Sequence, residues 1–529
     1  MGIGGRYGAR AVAPLVLVAL VATGCTGTPT PGGPSAAPGA SAASPVQDSP
    51  ASSAPPVARG AAAAPARVCD RTAAGPVKAP AGAVTVDPAV VGDLAAKTEK
   101  SPPHTTFWLR PGRHRLEPDA YAQVIAKEGN RYLGAPGAVL DGRKVNQYAF
   151  GGTASDVTVR HLTVEHFVAP HNEGVVNHDM ADGWVIEHTT IQHNSGAGLM
   201  AGARQRLGAS CLRGNGQYGM NAYKTGNSIR GLVVEGNEIT GNNTDDWERR
   251  QPGCGCTGGV KFWAVDGADV RGNWVHGNRG TGLWADNNNN NDFLFEDNLL
   301  ESNDGAALMY ETSYNAVIRN NTIRGNNRVE GRAYAADGDD FPYATVYVSE
   351  SGGEPRIPAR TDRIEIHGNV LEDNWNGITL WENADRFCNS PANTSTGSCT
   401  LLVKDARRCA PPAIASAPLY GDCRWKTQRV DVHGNLFALD PAVVGCGAEC
   451  ARMAVFANEG GAPDWSPYRG RRVAEAITRR QGNRWHGNVY RGPWTFLAGD
   501  PGRVLRPAQW RGAPYRQDAG SSFTPGAGG

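Results

Sequence analysis

The sequence predicts an all-β chain folded as a parallel β-solenoid, with a cap at each end, and two observations carry that prediction. The first is a short phrase that returns six times: an Asn (once a Thr), a gap of one, an aliphatic residue, a gap of two, and a second Asn. It occurs at Thr189, Ile191 and Asn194, at Asn237, Ile239 and Asn242, and at Asn273, Val275 and Asn278. It returns at Asn298, Leu300 and Asn303, at Asn321, Ile323 and Asn326, and at Asn369, Leu371 and Asn374. The cleanest successive copies are 25 and 23 residues apart, the length of one β-solenoid coil and too short for a helical-repeat unit. The second is the alternation of apolar and polar residues just ahead of the copies, as at Ala268 and Val270 or Ile364 and Ile366. A period of two means strand.

Stacked coils about 4.8 Å apart bring equivalent side chains into columns. Asn suits a turn column because it tolerates left-handed backbone and because its amide can donate to one neighbouring coil while accepting from the other. The two Asn series are therefore expected to form buried structural ladders without chemistry.

From the N-terminus, Arg6 and Arg10 precede an apolar run from Val12 to Ala22 and then Thr23, Gly24 and Cys25. This is the pattern of an export signal and is too short to span a membrane. Residues 26–66 are Pro, Ala, Ser, Gly and Thr with almost no bulky apolar side chain, a composition that cannot bury enough surface to fold and reads as a linker. Residues 67–150 read as an N-terminal cap and first coils, with strands near Thr105–Leu109 and Val139–Leu140. The solenoid is expected over 151–440, with outward insertions near 243–257 and 327–343 where the repeat spacing stretches to 36 and 48 residues. Val430–Asn435 reads as a last coil and 441–529 as a closing cap.

A net charge of +1 with scattered signs gives no basic stripe, so no nucleic-acid partner is expected. Of 11 cysteines, ten remain beyond Cys25: Cys69, Cys211, Cys254, Cys256, Cys388, Cys399, Cys409, Cys423, Cys446 and Cys450. An even number in an exported chain indicates disulfides rather than a metal site. Local pairs within 388/399, 409/423 and 446/450 are the expectation, although spacing does not fix connectivity.

A second strand follows each phrase. If Leu283 and Ala285 point into the coil, Trp284 and Asp286 point out. The same register turns Tyr223, Lys261, Trp263, Glu311, Tyr347 and Trp381 onto one outer wall, beneath both insertions. Asp286 and Glu311 stand 25 residues apart at equivalent positions and should be neighbours. Two adjacent carboxyls split their pKa values, leaving one to donate a proton while the other stays ionised, which is the equipment of glycoside hydrolysis. Lys261 offers the rival chemistry of a lyase, in which a neutral amine removes the proton beside a uronate carboxylate. Trp263, Trp284, Tyr223, Tyr347 and Trp381 would present flat faces to sugar rings. The five Asn between Asp286 and Asp292 carry oxygen donors of the kind Ca²⁺ takes, but an Asn-rich turn accounts for them equally, and no cofactor or metal is expected.

Gly258–Phe262, Val270–His276, Gly282–Asp286, Tyr310–Asn321 and Gly134–Gly142 resemble secreted bacterial right-handed parallel β-helix proteins of the pectate-lyase-like superfamily. The likeness covers roughly residues 104–384. It implies a right-handed, single-stranded parallel β-helix and a carbohydrate ligand. Neither the Asp pair of polygalacturonases nor the Ca²⁺ and Arg arrangement of pectate lyases is evident, so pectin is not implied. The residues ahead of Cys25 resemble the lipobox of bacterial lipoprotein precursors, with Ala22 where Leu is usual, which implies a lipid on Cys25. The expected protein is an exported, lipid-anchored monomer that touches the membrane only through its lipid. It would bind a polysaccharide or cell-envelope glycan and cleave it, with hydrolysis favoured over elimination. A surface binder or adhesin without turnover is the rival from another class.

Overall fold

A computed structural model describes residues 67–71, 74–223, 229–251, 258–286, 291–338, 341–391, 399–461, 463–499 and 503–525. Cys25, the 26–66 linker, Cys254, Cys256 and most of the Asn run lie outside these residues.

Each coil contributes one short strand to each of three parallel sheets, and each sheet has 13 strands. A representative coil consists of Asn291–Glu296 in the first sheet, Leu299–Glu301 in the third and Leu308–Glu311 in the second. The chain is a right-handed parallel β-helix, as the repeat and the resemblance predict. Inward residues stack by type. In the first sheet Val270, Phe295, Ile318, Ile366, Val432 and Trp485 follow one another in register. In the third, Val275, Leu300, Ile323, Leu371 and Phe437 do the same. One continuous apolar column runs the length of the solenoid, so core is added coil by coil and no domain boundary is needed.

The Asn ladders form as expected. Asn237 donates from Nδ2 to Asn273 Oδ1 at 2.9 Å and to the Leu207 carbonyl at 3.0 Å. Asn273 repeats this toward Asn298, and the series continues through Asn321, Asn369, Asn435 and Asn488. The second ladder runs from Asn194 through Asn215, Asn242, Asn278, Asn303 and Asn326 to Asn374. One detail differs from expectation: the left-handed residue is the one before the ladder Asn. Gly236, Gly272, Asp297, Asn320 and Gly368 all have φ between 54° and 65°. Thr189 belongs to the same column, since its N–H donates to Ser210 Oγ and the Ser210 N–H donates to Asn237 Oδ1.

The insertions contribute helices Trp247–Arg250 and Arg328–Ala336. Helix Asp93–Lys100 lies at the N-terminal end, with Leu94 and Thr98 buried. Disulfides join Cys388 to Cys399, Cys409 to Cys423 and Cys446 to Cys450, the local pairs expected, and Cys69 to Cys211. The solenoid does not stop at 440. Arg452–Ala457 continues the second sheet, and Arg484–His486, Val489–Arg491 and Thr495–Ala498 make a further complete coil. The repeat is hidden there because Asn488 keeps the first ladder position while the aliphatic position is taken by Tyr490 and no second Asn follows. Among the described residues no helix is long and apolar enough to cross a membrane.

Candidate active site

Leu283 and Ala285 are core residues, so Trp284 and Asp286 turn outward as the alternation requires. Parallel pairing sets Lys261 against Trp284 and Trp284 against Met309, and it sets Trp263 against Asp286. Lys261, Asp286 and Glu311 therefore share one wall of the second sheet.

That wall is covered. Lys261, Asp286 and Glu311 are only 5%, 3% and 6% exposed. The expectation of an open row of aromatics is corrected in the same way. Trp284, Met309 and Tyr347 form a buried cluster with Phe341, Tyr343 and Trp381, so the second insertion lies over them. Trp263 is buried and meets Tyr223 edge-on with ring centroids 5.4 Å apart. Of the five predicted sugar platforms only Tyr223, at 38%, is exposed. Buried apolar area beneath a loop is the ordinary fate of large side chains, and sequence alternation reports the face of the strand but not what packs on it.

Lys261 Nζ lies 2.7 Å from Asp286 Oδ2 and 4.1 Å from the centre of the Trp284 ring. Burial alone would draw the ammonium pKa down, but Asp286, Tyr218 and Glu311 outweigh it and the net shift is upward. This argues against Lys261 as the neutral base of an elimination, and its place is that of a cation holding Asp286. Tyr218, pushed up to about 12 by burial, sits beside the same ammonium.

Glu311 behaves differently. Burial and then the negative charge of Asp286 raise its pKa to about 7, against the pull of Arg386. Arg386 Nη1 is 3.0 Å from Glu311 Oε1 and 3.2 Å from Glu350 Oε2. The other carboxyl oxygen of Glu311, Oε2, has no partner among the described residues. The charged chain continues through Glu350, whose pKa burial also raises, to Arg424 and Glu382, which form a buried ion pair.

Sequence reasoning missed Arg386, Tyr218 and His171. His171 packs at a tilt against Trp247 of the first insertion with centroids 4.3 Å apart, and burial and then Lys261 lower its pKa. None of the three occupies a position of the Asn repeat, so periodicity gives no signal for them. A raised pKa alone does not mark a site. Glu330, in the second insertion helix, is also pushed up to about 7 by burial, yet the groups acting on it are Tyr343, Asp304 and Glu248 rather than Lys261, Asp286 or Glu311.

No curated protein matches the sequence. Among solved structures, the A-module of Azotobacter vinelandii mannuronan C-5 epimerase AlgE4 is 12% identical over 84% of this chain and 97% of its own, with a TM-score of 0.38. The PL6 family alginate lyase AlyGC is 11% identical over 84% of this chain and 53% of its own, at 0.40. The Streptococcus pneumoniae surface adhesin PfbA is 8% identical over 77% and 84%, at 0.27. At such distances the likenesses bear on neither substrate nor reaction. The chain is a right-handed parallel β-helix protein whose residues 173–357 match the family model described as right handed beta helix region.

Proposed function

We propose that the protein hydrolyses glycosidic bonds of a polysaccharide that reaches the wall once the side chains covering it are displaced, with Glu311 as the proton donor and Asp286 as the carboxylate that acts on the other side of the bond. The observation that carries this reading is the state of Glu311: buried, raised to about 7, and with one carboxyl oxygen uncommitted. Charge counting supports it. Among the described residues Arg386 pairs with both Glu311 and Glu350, two buried carboxyls against one cation. One proton neutralises the excess, and Glu311 is a carboxyl that holds it near neutral pH. An acid of that pKa can protonate a leaving glycosidic oxygen. Asp286, fixed by the Lys261 ammonium, supplies the negative charge that an oxocarbenium-like transition state needs. Tyr223 remains as a platform for a sugar ring.

The test is a polysaccharide panel assayed for new reducing ends and, separately, for ultraviolet-absorbing unsaturated ends. Reducing ends without unsaturation, lost in Glu311→Gln and Asp286→Asn, are expected. Unsaturated products would replace hydrolysis by elimination, and retention of glycan without turnover would leave a binder. The reading places the protein outside the cell, attached through a lipid on Cys25, and mass analysis of the mature N-terminus checks that.

A further inference from the structure

The residues that follow the Pro/Ala/Ser-rich segment do not start the solenoid at its N-terminal end. Arg67, Val68 and Cys69 lie on the outer face of the third sheet, against its fifth, sixth and seventh strands, Cys211–Arg213, Glu238–Thr240 and Trp274–His276. Only afterwards does the chain run back. Trp108 Nε1 donates to the Pro76 carbonyl at 2.9 Å, and Val84–Val86 then pairs with Phe107–Leu109 as the first strand of the first sheet.

The attachment is built from different interactions on three successive coils. Cys69 is bonded to Cys211 on the first. On the second, the buried carboxylate of Glu238 accepts from the backbone N–H groups of Val68 and Cys69 at 2.7 and 2.8 Å, while its other oxygen lies 3.1 Å from His276 Nε2. On the third, the Arg67 guanidinium lies over the Trp274 ring, 5.4 Å from its centre. These same coils turn the corner into Met220–Tyr223, Val260–Trp263 and Leu283–Asp286 of the second sheet. The strap is therefore fastened to the coils that carry Tyr223, Lys261 and Asp286.

We propose that this strap is the root through which traction on residues 26–66 enters the fold, delivering it to the three site-bearing coils and leaving every earlier coil unloaded. Tension follows covalent bonds. The bridge spans 142 residues, so a pull on the linker passes from Cys69 to Cys211 and skips the chain between them. Val68 and Arg67, both on the linker side of Cys69, are held on the next two coils, so a pull is shared before it reaches the sulfur atoms. On the proposed function, a polymer held at Tyr223 and a linker fixed to a surface would then load only the coils between them.

Optical-tweezers unfolding of the full chain, held by tags at its two termini, tests this without an activity readout. In the Cys69→Ser/Cys211→Ser double variant the final extended length should rise by about 480 Å, from 142 residues at about 3.4 Å each. The first rupture should also move to lower force and become a series of small steps as the N-terminal coils peel. Glu238→Gln, with the bridge intact, should lower the first rupture force without changing the final length. An unchanged length in the double variant, or a first rupture at the same force in the wild type and both variants, would overturn the proposal.

Discussion

Replacing Glu311 by Gln should stabilise the protein above neutral pH, and the size of the gain follows from the site. The Glu311 carboxyl titrates near 7 in the fold against an ordinary value of 4.5. Its folded pKa is thus raised, so between those values the native state holds a proton that the unfolded chain has released. Stability then falls as pH rises through this window, by about 1.4 kcal/mol per unit, and the loss levels off above pH 7 at about 3 kcal/mol. Gln keeps the shape of the protonated side chain, can still accept from Arg386, and cannot ionise. Denaturant unfolding of both proteins from pH 4.5 to 8.5 should give curves that nearly coincide at the acid end and separate by about 3 kcal/mol at the alkaline end, the variant being the more stable. Parallel curves, or a variant weaker at pH 8.5, would show that Glu311 is not a raised, buried acid.

Other perturbations have equally definite outcomes. Arg386→Met removes the cation 3.0 Å from Glu311; at an effective dielectric of about 20 such a pair is worth at most about 5 kcal/mol, and Glu350 shares it, so the Glu311 transition in the same pH series should move up by more than one unit. Lys261→Met removes the ammonium 2.7 Å from buried Asp286 and should cost about 3–5 kcal/mol in unfolding free energy, most of which a Lys261→Met/Asp286→Leu double variant should recover. Asn298→Ala removes two donated and two accepted hydrogen bonds in the ladder and should lower the unfolding midpoint by the equivalent of about 3 kcal/mol. His367 and His433 stack with ring centroids 4.9 Å apart and both have lowered pKa values, from burial first; His433 adds to this for His367, and for His433 the pull of Asp431 is outweighed by burial and His486. Because burial holds them neutral, the stability they contribute is present above the ordinary histidine range and is lost as pH falls through it, so His433→Gln should reduce acid sensitivity in thermal melts between pH 7 and 5.

The repeats made the scaffold legible because a stacked coil writes the same demand into the sequence every time: an amide at each corner and an aliphatic residue between. Thr189 fits since its N–H still donates to the next member of the column, Ser210 Oγ, and the copies fade where Phe437 and then Tyr490 take the aliphatic place in the last coils. Register then carried Lys261, Asp286 and Glu311 onto one wall from a single assignment, that of Leu283 to the core. The cover over that wall was not legible. Phe341 and Tyr343 come from an insertion with no period, so nothing in the alternation of Trp284 and Tyr347 distinguishes a sugar platform from a side chain packed under a loop. Arg386 was missed for the same reason: it lies in an irregular loop after Glu382, 75 residues along the chain from the carboxyl it holds.

The pH dependence of polysaccharide hydrolysis tests the central claim most directly. Reducing-end release by the wild type should fall away above about pH 7, where Glu311 loses its proton, the descending limb should shift upward in Arg386→Met, and Glu311→Gln should be inactive at every pH while still folded. Hydrolysis that Glu311→Gln leaves undiminished, or a descending limb that Arg386→Met does not move, would contradict the account.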